Sequence, residues 1–237
     1  MRYRHEHKYF LNSHTAAILR GRAAAVMRPD AHSGGVYTVN NLYFDDCYDS
    51  FYFSKLRGIA RRDKYRIRFY NGDMSFIKLE RKSKDGLLSY KESVCISPEQ
   101  YEMLHRGDFE FTMTASEPLL EKIGILHRLR NLRPSAEYTY IREAYVYEPG
   151  NVRVTLDSRI GEDIPGLASG GGAPPGTVGM AEVKFDNFLP SVISGLLGGL
   201  PLIRTEMSKY CYVFEYERRM KPHARQNIGH HNQLVTG

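Results

Sequence analysis

Tryptophan is absent from this 237-residue sequence, and cysteine is scarce. The three cysteines, Cys47, Cys95 and Cys211, are widely spaced, which excludes a disulfide framework and a cysteine-based zinc site. The N-terminus has no apolar signal-peptide core, and the most apolar run, 188–203, is interrupted by prolines and glycines, which argues against a membrane span. These absences predict a soluble, cytoplasmic protein with reduced thiols.

Charge is unevenly distributed along the chain. The net charge is +6, but residues 55–91 alone contain twelve lysines and arginines against four acidic residues. The remainder of the chain is therefore slightly acidic. A local field of this kind concentrates polyanions, whether these are nucleic acids, nucleotides or polyphosphates.

The segment 62–70 is the centre of this basic region. A strand here would carry four cations on one face and mainly apolar side chains, such as Tyr65, Ile67 and Phe69, on the other. The cationic face consists of Arg62, Lys64, Arg66 and Arg68. An Asn-Gly turn leads to a strand over 75–82, and a further strand over 87–96 follows. Both repeat the pattern, with Lys78 and Lys91 on their charged faces, which predicts a shared basic surface for an elongated anion.

The whole chain reads as an α+β protein with about eight largely antiparallel strands. The other strands are predicted at 3–11, 36–44, 137–147, 152–157 and 180–186, and helices at 15–27 (capped by Ser13), 98–106, 117–131, 190–200 and 205–220. An open sheet or a barrel with a polar lumen would both fit. The charged faces favour an antiparallel barrel tunnel with peripheral helices. We predict one domain over 1–220, a flexible loop at 166–179 and a disordered tail over 221–237.

The charged strand faces suit one ligand class, a chain of phosphates with a divalent metal. Their cations are Lys8, Arg62, Lys64, Arg66, Arg68, Lys78, Lys91, Arg142, Arg153 and Lys184, and the carboxylates among them are Glu6, Glu80 and Glu182. Guanidinium groups grip phosphate oxygens in pairs, and lysine supplies a point charge. Magnesium or manganese takes one or two carboxylates together with phosphate oxygens.

Several short motifs resemble those of the VTC (vacuolar transporter chaperone) domain family, a branch of the triphosphate tunnel metalloenzymes related to CYTH proteins. They occur in the family order from residue 3 to about residue 218. The motifs are Glu6-His7-Lys8-Tyr9, Asn41-Leu42-Tyr43-Phe44-Asp45, Lys64-Tyr65-Arg66-Ile67-Arg68-x-Tyr70, Ile77-Lys78-Leu79-Glu80, Tyr140-x-Arg142, Val152-Arg153-x-Thr155-Leu156-Asp157, Glu182-Val183-Lys184 and Ser208-Lys209-Tyr210.

The resemblance implies a polyphosphate polymerase that transfers the terminal phosphate of ATP to a growing chain inside the tunnel. It implies phosphate binding by Lys8, Arg66, Arg68, Lys78, Lys91, Arg142, Arg153 and Lys209, with hydroxyl contacts from Tyr140 and Ser208. Among these, Arg66, Arg68, Lys78, Arg142 and Lys209 are the expected catalytic cations. Glu182 would hold the metal, with Glu6 and Glu80 as further candidates. Arg62 and Lys64 would lie toward the tunnel mouth, and the C-terminal helix would close the barrel.

One departure from the resemblance concerns the first strand. CYTH hydrolases begin with Glu-x-Glu-x-Lys, whereas this chain has Arg4 at the first of those positions. Losing that carboxylate disfavours a water-activating hydrolase and suits a transferase. Because no membrane segment is predicted, export of the product across a membrane would need a membrane-embedded partner protein.

Three alternatives stay open at this point. An inorganic triphosphatase and a non-catalytic polyphosphate or nucleotide sensor would use the same cations. Single-stranded nucleic-acid binding is disfavoured, because such proteins place stacking aromatics among their cations, whereas Tyr65 and Phe69 face away from them.

Overall fold

The computed structural model describes residues 4–31, 35–86, 88–162 and 173–220. Within these ranges the protein is α+β, as predicted, with ten strands and six α-helices. The predicted tail over 221–237 and the 166–172 part of the predicted loop lie outside the described residues.

All ten strands belong to one antiparallel sheet. The strands are β1 (Arg4–Asn12), β2 (Arg28–Pro29), β3 (Val36–Asp45), β4 (Arg61–Tyr70), β5 (Asp73–Asp85), β6 (Leu88–Ile96), β7 (Arg133–Tyr147), β8 (Val152–Ser158), β9 (Thr177–Asp186) and β10 (Ile203–Arg204). Their order across the sheet is β10-β1-β9-β8-β7-β3-β4-β5-β6, and β2 pairs with β7.

Six α-helices accompany the sheet in the described part of the chain. They are α1 (Ser13–Val26), α2 (Ser50–Leu56), α3 (Pro98–His105), α4 (Pro118–Arg130), α5 (Ser191–Leu197) and α6 (Lys209–Met220). None of these described helices has the length and apolar character needed to cross a membrane.

The period-two pattern of β4 is confirmed. Tyr65, Ile67 and Phe69 are buried in a hydrophobic cluster beneath α3 and α4, which defines the outer face of this half of the sheet. A second outer cluster packs α1 and α5 against β8 and β9. The charged faces predicted for β1 and for β4 to β9 consequently lie on the opposite, inner side, because alternate residues of a strand point to opposite sides. Other charged side chains of these strands, such as Asp63, Arg81 and Glu92, lie on the outer face.

The predicted closed barrel is not confirmed. Strands β10 and β6 end the sheet, and no backbone ladder joins them within the described residues. The C-terminal helix does occupy the inner face, as predicted: Tyr210, Cys211 and Phe214 of α6 share a buried cluster with side chains of β3 and β7. The inner face is thus covered by a helix rather than fully exposed to solvent.

Three local predictions were wrong for identifiable reasons. Helix α1 is capped by Asn12, whose side chain accepts the Thr15 backbone N–H at 2.8 Å, and not by Ser13. Helix α2 lies in a segment predicted as a connection. Helix α6 begins at Lys209 rather than at Thr205, because the preceding segment continues along β1, where the Thr205 N–H donates to the Lys8 carbonyl oxygen at 3.0 Å.

Candidate phosphate-binding site

Strand register places most of the predicted cations in rows across the inner face. In the half formed by β3 to β6, each row contains residues that lie directly opposite one another. The rows are Asn41, Arg68 and Lys78; Tyr43, Arg66 and Glu80; Lys64, Lys82 and Lys91; and Arg62, Lys84 and Ser89. The predicted basic surface is therefore assembled by three neighbouring strands, β4 to β6, with β3 at its border.

The other half of the inner face carries mixed charges. The rows across β1, β9, β8 and β7 include Lys8, Glu182 and Thr155, and next to them Glu6, Lys184 and Arg153. Arg142 of β7 lies opposite both Asp157 of β8 and Tyr37 of β3, and so connects the two halves. Here every predicted cation has an acidic neighbour.

Tyr140 is the point at which three predicted catalytic cations meet. Arg68 Nη2 donates to the Tyr140 hydroxyl at 3.3 Å. The Arg142 guanidinium lies 5.2 Å, and Lys209 Nζ 5.4 Å, from the centre of the Tyr140 ring. These residues come from β4, β7 and α6, so only the folded sheet with its inner helix brings them together.

Asp157 holds two of these cations in a buried ion pair that the sequence analysis did not assign. Arg142 donates Nε and Nη2 to the two carboxylate oxygens at 2.6 and 2.8 Å, and Lys209 Nζ lies 2.6 Å from Oδ2. Burial alone would raise the pKa of Asp157, but the charges of Lys209 and Arg142 lower it. Burial lowers the pKa of Lys209, but Asp157, Glu182 and Tyr140 together outweigh burial and raise it. This cluster fixes α6 against β7 and β8.

Glu80 forms the second buried cluster. Arg66 Nε donates to Glu80 Oε2 at 2.6 Å, and Lys91 forms an ion pair with the other oxygen. Burial favours the neutral acid, yet Arg66 and Lys91 together lower the pKa of Glu80 to about 2. In this structure Glu80 is therefore a counter-ion of two predicted phosphate-binding residues, which competes with its predicted role as a metal ligand.

Arg68 differs from these cations, because no carboxylate lies within ion-pair distance of it among the described residues. Its Nε and Nη2 donate to Asn41 Oδ1 at 2.9 and 2.7 Å. Asn41 is buried and donates its own amide to backbone carbonyl oxygens of Val39 and Tyr138. A neutral acceptor thus orients the guanidinium and leaves its charge available to an incoming anion. Lys78, in the same row, lies 4.5 Å from the Phe76 ring centre.

Lys64 lies beneath α6 rather than at an open mouth. Its Nζ donates to Ser208 Oγ at 3.2 Å and lies 5.0 Å from the centre of the Tyr210 ring. Burial lowers the pKa of Lys64. Arg62 is nearer solvent and donates to the Ile59 carbonyl oxygen.

Two of the three predicted metal ligands are neighbours. Lys8 Nζ lies 2.8 Å from Glu6, Lys184 Nζ lies 3.2 Å from Glu182, and a hydrogen bond with Glu6 helps to lower the pKa of the buried Glu182. Among the described residues no group of three or more Asp, Glu, His or Cys side chains could hold a metal ion, so Glu80 does not complete the set. A two-carboxylate site that is completed by phosphate oxygens still suits Mg²⁺ or Mn²⁺.

Arg153 occupies the far end of the inner face. It lies 2.7 Å from Asp30 and donates to the Tyr37 hydroxyl at 3.0 Å, while its buried Nε has no hydrogen-bond partner within the described residues. An unsatisfied buried N–H of this kind is costly unless a ligand or water accepts it.

Strand β3 contributes functional residues that the sequence analysis missed. Besides Asn41, its Tyr43 hydroxyl accepts Arg66 Nη1 at 3.0 Å. At its end, buried Asp45 accepts the Phe51 and Tyr52 N–H groups of α2 and the Tyr210 hydroxyl of α6, the last at 2.8 Å. The signal was the Asn41-Leu42-Tyr43-Phe44-Asp45 motif, to which no role was given.

Tyr43 is expected to ionise near neutral pH. Burial raises the pKa of its phenol, but Arg66, Arg68 and Lys64 outweigh burial and lower the pKa from 10.0 to about 7. Because the folded-state pKa is depressed, the resulting stabilisation is complete above the ordinary pKa of tyrosine and is lost as the pH falls through about 7.

A near-ultraviolet absorbance titration checks this expectation. The folded protein should show one tyrosinate step near pH 7 that is missing in Tyr43→Phe. Bound tripolyphosphate should shift the step to higher pH, because its negative charge disfavours the phenolate. Superimposable titrations of the two proteins over the neutral range would contradict the assignment.

One comparison with known proteins identifies a family. The model of the VTC domain family matches residues 3–216. Among solved structures, the PH1819 protein from Pyrococcus horikoshii OT3 is 14% identical, with a TM-score of 0.48, and the match covers 90% of this chain and 99% of that one. The bh2851 protein from Bacillus halodurans, an adenylate cyclase candidate, is 12% identical with a TM-score of 0.44, covering 83% and 86%. No curated protein matches the chain.

Both TM-scores lie below 0.5, so the assignment depends on the family model alone. That model spans most of the 237 residues and includes all the predicted site residues. The chain belongs to the VTC domain family.

Proposed function

We propose that this protein is an ATP-dependent polyphosphate polymerase. It transfers the terminal phosphate of a nucleoside triphosphate to the end of a polyphosphate chain, on the inner face of the sheet beneath α6. The observation that carries the proposal is the meeting of Arg68, Arg142 and Lys209 at Tyr140. Cations from three separate elements around one polar group form a site for adjacent phosphates.

The proposed reaction needs no covalent bond between the substrate and the protein. The bond from the terminal phosphorus to its bridging oxygen breaks, a bond to an oxygen of the acceptor phosphate forms, and the nucleoside diphosphate leaves. Alignment of donor and acceptor and neutralisation of the equatorial oxygens supply most of the rate. Arg68 is already oriented for this by Asn41. Arg66 and Lys209 would exchange their carboxylate partners for phosphate oxygens.

The remaining predicted residues have supporting roles. Lys8, Lys64, Lys78, Lys91 and Arg153 would bind further phosphates along the inner face, and Tyr140 and Ser208 would donate hydroxyl hydrogen bonds. Glu182 and Glu6 would hold the divalent ion. When bound, Mn²⁺ or Mg²⁺ polarises phosphoryl oxygens and offsets their charge. A cytoplasmic location and a membrane-embedded partner protein are further parts of this proposal.

Product analysis tests the proposed reaction directly. The purified protein is incubated with ATP and MnCl₂, and the products are separated by gel electrophoresis and assayed for free phosphate. Growing phosphate chains would support the polymerase. Free phosphate without chains would identify a triphosphatase, and unchanged ATP despite measurable binding would identify a sensor.

Removal of the metal-binding carboxylate should uncouple binding from reaction. Glu182→Ala is expected to lower the rate of chain synthesis by roughly 10²-fold or more, because the metal contributes several kcal/mol of charge stabilisation. Tripolyphosphate binding without metal, measured by calorimetry, should be largely retained. Glu143→Ala is the matched control, since Glu143 pairs with Arg20 of α1 on the outer face. Full activity of Glu182→Ala would refute the metal assignment.

A further inference from the structure

Three aromatic side chains lie beyond the phosphate-binding rows at one end of β3, β4 and β5. Tyr70 follows Arg68 by two residues and pairs with Val39 on the inner face. Phe76 lies two residues from Lys78 toward the same end of β5, beside a register shift that places Tyr70 opposite Asp73. Tyr37 is two residues beyond Val39, which pairs with Tyr70. The Tyr37 and Tyr70 rings are in edge contact, with 5.6 Å between their centres.

Core packing does not account for Tyr70 and Phe76, whereas Tyr37 packs against the buried cluster of the inner face. Tyr70 is 37% exposed and Phe76 is 48% exposed, and neither belongs to a hydrophobic cluster of the described residues. Cations surround them instead: Lys78 Nζ lies 4.5 Å from the Phe76 ring centre, and Arg153 donates to the Tyr37 hydroxyl. Exposed aromatic faces beside phosphate-binding cations are the combination that binds nucleotides by stacking.

The two ends of this half of the inner face are chemically different. The rows at the opposite end, formed by Lys64, Lys82 and Lys91 and by Arg62, Lys84 and Ser89, contain no aromatic side chain of their own, and the ring that Lys64 contacts, Tyr210 of α6, is buried. An inorganic polyphosphate needs cations along its whole length but has no use for aromatic rings. A nucleoside triphosphate needs both, with the rings at one end only.

We propose that Tyr70 and Phe76, with Tyr37 beside them, form a stacking platform for the nucleobase of the donor nucleotide. This inference rests on the proposed function. At about 3.3 Å per residue, Tyr70 lies about 7 Å from Arg68 and about 13 Å from Arg66 along β4. A triphosphate bound to the two arginines therefore extends from a nucleoside on the platform toward Lys64.

The platform also sets the orientation of the donor nucleotide and of the growing chain along the inner face. With the base at the aromatic end, the terminal phosphate points toward the Lys64, Lys82 and Lys91 row, and the growing chain lies along the Arg62 and Lys84 end. Stacking uses the ring face that every base has, so the platform accepts different bases. It distinguishes nucleotides from inorganic phosphate chains instead.

Calorimetric titrations with ATP and with inorganic tripolyphosphate distinguish binding of the nucleoside from binding of the triphosphate. The double variant Tyr70→Leu/Phe76→Leu keeps apolar bulk but removes the rings. It should bind ATP roughly 5- to 150-fold more weakly than the wild type, which corresponds to the loss of one stacked base. Its affinity for tripolyphosphate should be unchanged, which also shows that the variant is folded. Tyr90→Leu is the control, because Tyr90 is 61% exposed and lies on the outer face of β6.

The outcomes distinguish this inference from the proposed function. Parallel losses for ATP and tripolyphosphate in the double variant, or no loss for either, would overturn the platform without contradicting the proposed function of the wild-type protein. A wild-type protein that binds neither ligand would overturn the proposed function and the platform with it. A selective loss for ATP that is restored by Tyr70→Trp/Phe76→Trp supports the platform.

Discussion

Arg68→Ala is expected to lower kcat/KM for ATP by roughly 10²- to 10³-fold, the usual effect of removing one donor that faces developing charge. The structural reason is that Arg68 is held by the neutral acceptors Asn41 and Tyr140 rather than by a carboxylate. The charge of Arg68 is therefore not neutralised by a carboxylate of the protein. Steady-state kinetics of chain synthesis, or of phosphate release if the protein is a triphosphatase, would measure the effect.

Arg81→Ala is the matched control for this prediction. Arg81 lies on the next strand but on the outer face, where it pairs with Asp63 and Glu92. It has the same side chain and a similar position in the sheet, yet no access to the inner face. Equal losses of activity in the two variants would show that Arg68 acts through folding rather than through the substrate.

Asp157→Asn is expected to give the largest loss of stability, about 3–5 kcal/mol in the free energy of unfolding. In the wild type, Arg142 and Lys209 both contact Asp157 oxygens at 2.6 to 2.8 Å. The substitution leaves these two cations buried without their counter-ion. Denaturant unfolding at neutral pH would measure the loss. Tripolyphosphate should restore more stability to this variant than to the wild type, because binding supplies the missing negative charge.

The more exposed ion pair of Asp63 with Arg81 provides the comparison for the change in the free energy of unfolding. Asp63→Asn removes the partner of Arg81, whose ion pair is partly solvated, and should cost about 1 kcal/mol or less. The wild-type contribution of Asp157 should disappear in acid, because its folded-state pKa is lowered and the stabilisation is lost as the pH falls through that value. If Asp157→Asn were no less stable than Asp63→Asn, the buried cluster would not hold α6 in place.

Strand periodicity predicted the positions of most strands. The eight longer strands were located within a few residues, since each alternates between an apolar and a polar face. The two-residue strands β2 and β10 were missed, because two residues show no period and exist as strands only through pairing with β7 and β1. Helix α2 was missed because its N-cap residue, Asp49, makes no side-chain capping bond, and its first N–H groups are satisfied by Asp45, six and seven residues earlier.

The candidate site was predicted in part. The cations and their common face follow from spacing, and the family resemblance supplied their expected roles. The residues that hold them, Asn41, Tyr43 and Asp157, have no charge pattern of their own. Each lies within one of the motifs of the family resemblance, but no local signal shows which cation it contacts on the neighbouring strand.

The sequence by itself determined which side chains share a face of each strand, because alternation along a strand is a local property of the backbone. It thereby determined that Arg62, Lys64, Arg66 and Arg68 form one cationic row. Only the tertiary structure decided which of these charges are neutralised. Glu80 pairs with Arg66 across a hairpin, Lys64 lies beneath α6, and Arg68 meets Asn41 of the neighbouring strand β3. Ion pairing and burial depend on distances between chain segments, and packing of the sheet and its inner helix sets those distances.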